Sequence, residues 1–167
     1  MPYVGSYIWN LRQKVGDTRL IMPAADVVCA NEKGEILLVH NRDVDAWTFP
    51  GGSVEPDMTW AEAAVQEVLE EGGLVVDSAN LTPFMSLSGS GFIYTYKDGS
   101  VQFFTIAFAT TKFTKSPDSL DATEISAAKW FSLEEAEKLN LSLSAAHILP
   151  AYKNWLTANQ FQQVTIK

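Results

Sequence analysis

GGSVEPDMTWAEAAVQEVLEEGGL, residues 51–74, decides the fold and most of the chemistry of this chain. Pro50, Gly51 and Gly52 make a turn that leads into a helix. Thr59 and Glu62 form the S/T-x-x-E capping box at its start, and Gly72-Gly73 stop it. Ala61, Ala64, Val65 and Val68 supply its apolar side, while Glu67, Glu70 and Glu71 gather elsewhere. Residues at i, i+3 and i+4 share a helix face, so three carboxylates crowd one patch. They lie near the C-terminal end, where the helix dipole already disfavours negative charge. Each like-charge pair costs roughly 0.2–0.5 kcal/mol on an exposed helix. A hard divalent cation reverses that sum, and Mg2+ takes oxygen ligands of this kind. A solvated acidic face is the alternative reading, but the glycine turn ahead and the apolar opposite face favour a metal site.

Outward from this helix, Trp47-Thr48-Phe49 reads as a short strand whose two aromatics share one side, for stacking on a nucleobase or for filling core. Ala24–Ala30 and Glu35–His40 flank Asn31-Glu32-Lys33-Gly34 and read as a β-hairpin. Residues 3–16 form an N-terminal extension with the pattern of an amphipathic helix. Tyr7, Ile8 and Leu11 fall on one side, and Arg12 and Lys14 on the other. Strands follow at Leu81–Leu87, Phe92–Tyr96 and Val101–Thr110, the last two joined by the turn Lys97-Asp98-Gly99-Ser100. Lys129-Trp130-Phe131 closes the strand set. Ser132 and Glu135 repeat the capping box and start a helix to about Leu139. A last helix holds Tyr152, Trp155 and Leu156, with Pro150 in its first turn. No repeat or long linker divides the chain, so the expectation is one α+β domain over residues 1–167, with a mixed sheet between helices.

Composition narrows the partners. A net charge of −8 and a pI near 4.7 argue against duplex nucleic acid and anionic membranes, which demand a basic face. An acidic protein still binds polyphosphate where a metal ion reverses the local field. Cys29 is the only cysteine, so there is no disulfide framework or thiolate metal cluster; its apolar setting suits a small buried hydrophobe. No run approaches the ~20 apolar residues of a membrane span, and the N-terminus lacks signal-peptide features. The cytoplasm is the expected location.

Residues 52–74 resemble the Nudix box, G-x5-E-x7-R-E-U-x-E-E-x-G-U, where U is a bulky aliphatic. Aligned on Gly52, the match holds at Glu67, Val68, Glu70, Glu71, Gly73 and Leu74. Met58 stands where the first Glu belongs, and Gln66 where the Arg belongs. Trp47 to Gly52 ahead of the box, and Glu124 with Trp130 and Phe131 after it, extend the likeness over most of the chain.

The resemblance implies an α/β/α sandwich with a mixed central sheet, and a hydrolase acting on phosphoanhydride bonds. Its substrate would be a nucleoside diphosphate linked to another moiety: a nucleotide sugar, an ADP-ribose-like compound or a nucleoside triphosphate. It also implies Mg2+, with Mn2+ as substitute, held by Glu67, Glu70, Glu71 and the carbonyl of Gly51. One of these carboxylates or Glu124 would assist the attacking water, with Asp121 a weaker candidate for that role. Metal ions suit this chemistry because they neutralise the diphosphate and lower the pKa of bound water. Arg42 could reach a phosphate or be a plain surface arginine, and Glu55 could support the metal from its loop or serve only as a surface residue. In the family the missing Glu and Arg face each other and brace the loop; losing both together strands no charge. The alternative is a weak or inactive nucleotide-binding, regulatory domain. Dimers are common in similar proteins. Tyr94 and Tyr96 either line a pocket or pair across strands, and His40 and His147 read as structural. Substrate identity is not written in the box.

Overall fold

The computed structural model describes residues 5–115 and 124–167. The chain runs α1 (Tyr7–Val15), β1 (Leu20–Cys29), β2 (Ile36–Asn41), β3 (Ala46–Thr48), β4 (Gly51–Ser53), α2 (Trp60–Gly72), β5 (Leu74–Val75) and β6 (Thr82–Ser88). It continues through β7 (Ile93–Tyr96), β8 (Gly99–Thr110), β9 (Thr114–Lys115), β10 (Ile125–Phe131), α3 (Leu133–Ala136), α4 (Leu143–Ala158) and β11 (Gln162–Thr165). The main sheet has the order β11-β6-β8-β1-β4, with β7 also on β8. It is mixed: β1 runs parallel to β8 over ten residue pairs, whereas β4 pairs antiparallel with β1, and β6 and β7 pair antiparallel with β8. A second sheet, β10-β2-β3, is antiparallel throughout.

Helix α2 forms where its local signals place it. The Thr59 hydroxyl accepts from the Glu62 amide at 3.2 Å, and the Glu62 carboxylate accepts from the Thr59 amide at 2.8 Å. Gly73 ends the helix in the left-handed region (φ 63°), its amide donating to the carbonyls of Leu69 and Val68. Ala63, Ala64 and Val68 bury themselves against Ala25, Val27 and Leu37, which seats α2 across the sheet. On the other side, α4 packs Ile148, Leu149 and Tyr152 against Phe84, Met85 and Leu87. Helices on both faces of a mixed sheet make the expected α+β sandwich.

Several local expectations change. The segments around Asn31–Gly34 do turn, with the Gly34 amide donating to Asn31 and the Asn31 amide to Glu35. They then part company, leaving only a bridge between Ala30 and Ile36, because β1 takes β8 and β4 as partners and β2 takes β10 and β3. Arg12 was expected on the polar side of α1, yet it is buried. It shares a face with Ile8, and its guanidinium donates to the carbonyls of Gly16, Thr18 and Ser100. Helix α1 starts at Tyr7, capped by Ser6; residues 3 and 4 lie outside the described set. Helix α4 begins at Leu143, so Pro150 sits in its interior, on the exposed side. Helix α3 ends at Ala136, short of Leu139. Strand β11 carries no clear alternation of apolar residues and was not foreseen; it adds parallel to β6.

Two substitutions separate local from tertiary control of this frame. Thr59→Ala removes the cap and should cost about 1 kcal/mol, lowering the melting temperature by about 2–4 °C. A Cβ at Gly51 would lie 2.6 Å from the Ala25 carbonyl oxygen and 2.9 Å from Asp26 Cα, both backbone atoms of β1. Gly51→Ala should therefore destabilise by more than Thr59→Ala in thermal melts followed by circular dichroism. An equal or smaller loss would contradict the close approach of β4 to β1.

Candidate active site

The turn Pro50–Gly52 brings β4 against β1 and beneath α2, and this sandwich places the carboxylates. Glu71 is 4% exposed, and one of its oxygens accepts from the Gly51 amide at 3.0 Å. Glu67, one turn earlier, lies against Gly52: a Cβ there would fall 2.2 Å from Glu67 Oε1. Two adjacent glycines thus serve two carboxylates, one by offering an amide and the other by leaving room. Glu70 is exposed and accepts from Gln66 Nε2 at 2.9 Å. Gln66 therefore steadies a neighbouring carboxylate without a charge, and half-buried Met58 strands none.

All three carboxylates open onto one cleft of about 560 Å³, together with Gly51, Glu55 and Glu124. Glu124 arrives from the segment ahead of β10, where its carbonyl accepts from the Arg42 amide at 2.9 Å. Asp121 falls outside the described residues. Asp26, on β1, also lines the cleft and is 7% exposed. It was missed because AADVVC reads as an apolar strand; an acid embedded in such a run was the available signal.

The electrostatics follow from this crowding. Burial pushes the Glu67 carboxyl up to about 8, with Glu70, Glu124, Asp26 and Glu55 adding to the rise. Burial likewise raises Glu71 well above the usual range, assisted by Glu67 and opposed by the Gly51 amide. Asp26 is raised to about 7 by burial, against a hydrogen bond from Thr105. Among the described residues, no salt bridge joins a Lys or Arg to Asp26, Glu67 or Glu71. An oxygen-rich, cation-poor set of this kind suits Mg2+ or Mn2+. As the side chains stand, no three acidic, histidine or cysteine groups among the described residues converge on one ion position.

Other expected site residues lie elsewhere. Phe49 is 1% exposed and belongs to the core, which replaces the idea of stacking on a base. Trp47 is wedged edge-on between His40 and Phe131, with Lys129 over its ring, and does not line the cleft. Arg42 is exposed and outside the cleft lining, so the phosphate contact is not supported. Tyr94 and Tyr96 do line it. His40 bonds Ser126 and His147 the Leu143 carbonyl, the structural roles expected of them.

Raised carboxyl pKa values carry a definite sign for stability. Groups protonated more readily in the folded chain stabilise it fully below their unfolded values near 4, and that contribution is lost as pH rises through about 7 to 8. In EDTA the melting temperature should fall from pH 5 to pH 8.5, and Glu67→Gln should flatten the fall. Added Mg2+ should raise the melting temperature more at pH 8 than at pH 5.5, since bound carboxylates must release protons. A midpoint rising with pH in EDTA would refute this account.

A family model described as NUDIX domain matches residues 20–152. A Bacillus subtilis protein named putative 8-oxo-dGTP diphosphatase is 51% identical over 49 residues, covering 29% of this chain and 33% of that protein. An RNA pyrophosphohydrolase of Pseudomonas putida (strain F1) is 34% identical over 59 residues, covering 35% and 37% respectively. The chain thus matches only about a third of the length of these relatives. In three dimensions it resembles the NUDIX domain of Shewanella oneidensis NrtR complexed with ADP ribose, with a TM-score of 0.65 and 16% identity over 90% of this chain and 97% of that one. A match over residues 20–152, which include the glycine turn and the acidic helix described above, means that the chain belongs to the NUDIX domain family.

Proposed function

We propose that this protein is a Mg2+-dependent pyrophosphohydrolase that cleaves a nucleoside diphosphate linked to another moiety. One observation carries the reading: among the described residues, eight acidic side chains and a single arginine, Arg12, line the cleft. A bare diphosphate would be repelled from such a surface, whereas a diphosphate carrying divalent cations would be drawn in. The names of the two relatives, a diphosphatase and a pyrophosphohydrolase, support the same reaction class.

Glu67, Glu70, Glu71 and the Gly51 carbonyl would hold the ion, which supplies charge neutralisation and a more acidic water. The protein's own part is placement. The Gly51 amide fixes one Glu71 oxygen, and Glu71 lines the cleft. Gly52 keeps the Glu67 carboxylate close to the turn. Glu124 enters from the β10 side and is the group we assign to accept the proton of the attacking water. The rigid helix holds these groups in register, which matters because phosphoryl transfer depends chiefly on positioning. A second reading, a domain that binds a nucleotide without turning it over, draws on the neutral pair Met58 and Gln66.

Nucleoside triphosphates, nucleotide sugars and ADP-ribose, incubated with the purified protein, should be hydrolysed only when Mg2+ or Mn2+ is present. Glu71→Gln should lower kcat/KM by about 100-fold or more, as expected when an ion worth several kcal/mol is loosened. Gly52→Ala should also slow turnover, by displacing Glu67, while changing the melting temperature little. Ligand recovered unchanged after long incubation with metal would favour the binding domain. Turnover indifferent to Glu71→Gln would refute the assignment.

A further inference from the structure

Glu67 and Glu71 line the cleft beside the glycine turn; a group of aromatic side chains lines it as well. Tyr94 and Tyr96 alternate on β7 and so face one side, their rings stacked 6.5 Å apart at 22°. Phe103 on β8 meets the Tyr94 ring edge-on at 5.6 Å, and buried Phe92 supports it from a second direction at 6.1 Å. The Tyr94 hydroxyl accepts from the Ser144 amide, which fixes that ring to the start of α4. The two tyrosines are half-buried and braced by other aromatics, yet both border the cleft.

Helix α1 completes this end. Ile8 packs with Met22 and Val101 beside Tyr96 and Phe103, and Ile8 and Arg12 line the cleft. Three carbonyls and Asp98 hold the Arg12 guanidinium, which pins α1 to the β7–β8 turn. The Tyr7 amide donates to Glu55 at 2.9 Å, tying the same helix to the loop ahead of α2. Helix α1 precedes residue 20, where the family match begins.

We infer that α1 and the Tyr94–Tyr96 shelf form a subsite for a nucleobase. A planar π-face gains most against such a shelf, and stacking on aromatic side chains tolerates any base. The cleft volume of about 560 Å³ lies within the range of small-ligand sites. The inference rests on the diphosphate reading for the polar end of the ligand, and it deepens that reading by assigning the other end.

Uncharged probes isolate this subsite from the carboxylates. Adenosine, guanosine, cytidine and uridine, titrated into the full chain in EDTA and followed by NMR, should bind about tenfold more tightly than ribose. Tyr96→Leu should abolish that margin and Tyr96→Phe should retain it. In the unmutated protein, base protons should show NOEs to the Ile8 methyls and the Tyr96 ring. Nucleosides binding no better than ribose, or NOEs confined to other residues, would overturn the inference even if metal-dependent hydrolysis is observed. Base-dependent binding without any hydrolysis would uphold the subsite and sink the hydrolase reading instead.

Discussion

Everything at this site depends on how closely the glycine turn approaches α2. Two buried or half-buried carboxylates, Glu71 and Glu67, sit where water cannot fully solvate them and where they repel each other. An isolated charge in such a place would be intolerable, and the Gly51 amide compensates only one oxygen. The rest of the molecule holds this arrangement in position. Strand β4 is clamped to β1, α2 is seated on β1 through Ala63, Ala64 and Val68, and β1 is locked to β8 over ten residue pairs. The strain is electrostatic, and a divalent cation is the natural means of relieving it.

The cleft is assembled from pieces far apart in the chain. Helix α1, strand β1, the turn before α2, the β7–β8 hairpin and the segment preceding β10 all contribute. Its two parts are held by different chemistry. The acidic part relies on backbone amides and on the absence of side chains at glycine. The aromatic part relies on ring packing and on one buried arginine, whose carbonyl partners fasten α1 without a strong ion pair: Asp98 lies 4.0 Å away. Separating phosphate handling from recognition of the remaining moiety lets one catalytic frame serve different substrates, a common arrangement when sites are grafted on a shared fold.

Where the sequence was legible, the signal was local. The cap at Thr59 and Glu62, the left-handed stop at Gly73 and the second cap at Ser132 and Glu135 appear as expected. The expected hairpin after Tyr96 forms with a tighter turn, Lys97-Asp98, that leaves Gly99 and Ser100 in β8. Each is set within four or five residues by hydrogen bonds or by φ preference. Where it misled, a remote partner decided. The partners of β1 lie on β8 and β4, not on the nearer β2. Arg12 looked solvent-facing until carbonyls at Gly16, Thr18 and Ser100 supplied its acceptors. Phe49 suited a core somewhat better than a pocket on its strand pattern alone, and the packing around it is that of the core.

The sequence by itself determined the family, the acidic helix and the glycine turn before it, because spacing along one helix and backbone freedom at glycine are properties of a short stretch. Only the tertiary structure decided which further groups share one cleft with those carboxylates and Glu124: Asp26, Tyr94, Tyr96 and residues of α1. Strand pairing and side-chain burial are set by contacts between segments tens of residues apart, and no local pattern encodes which partner will fill a given face.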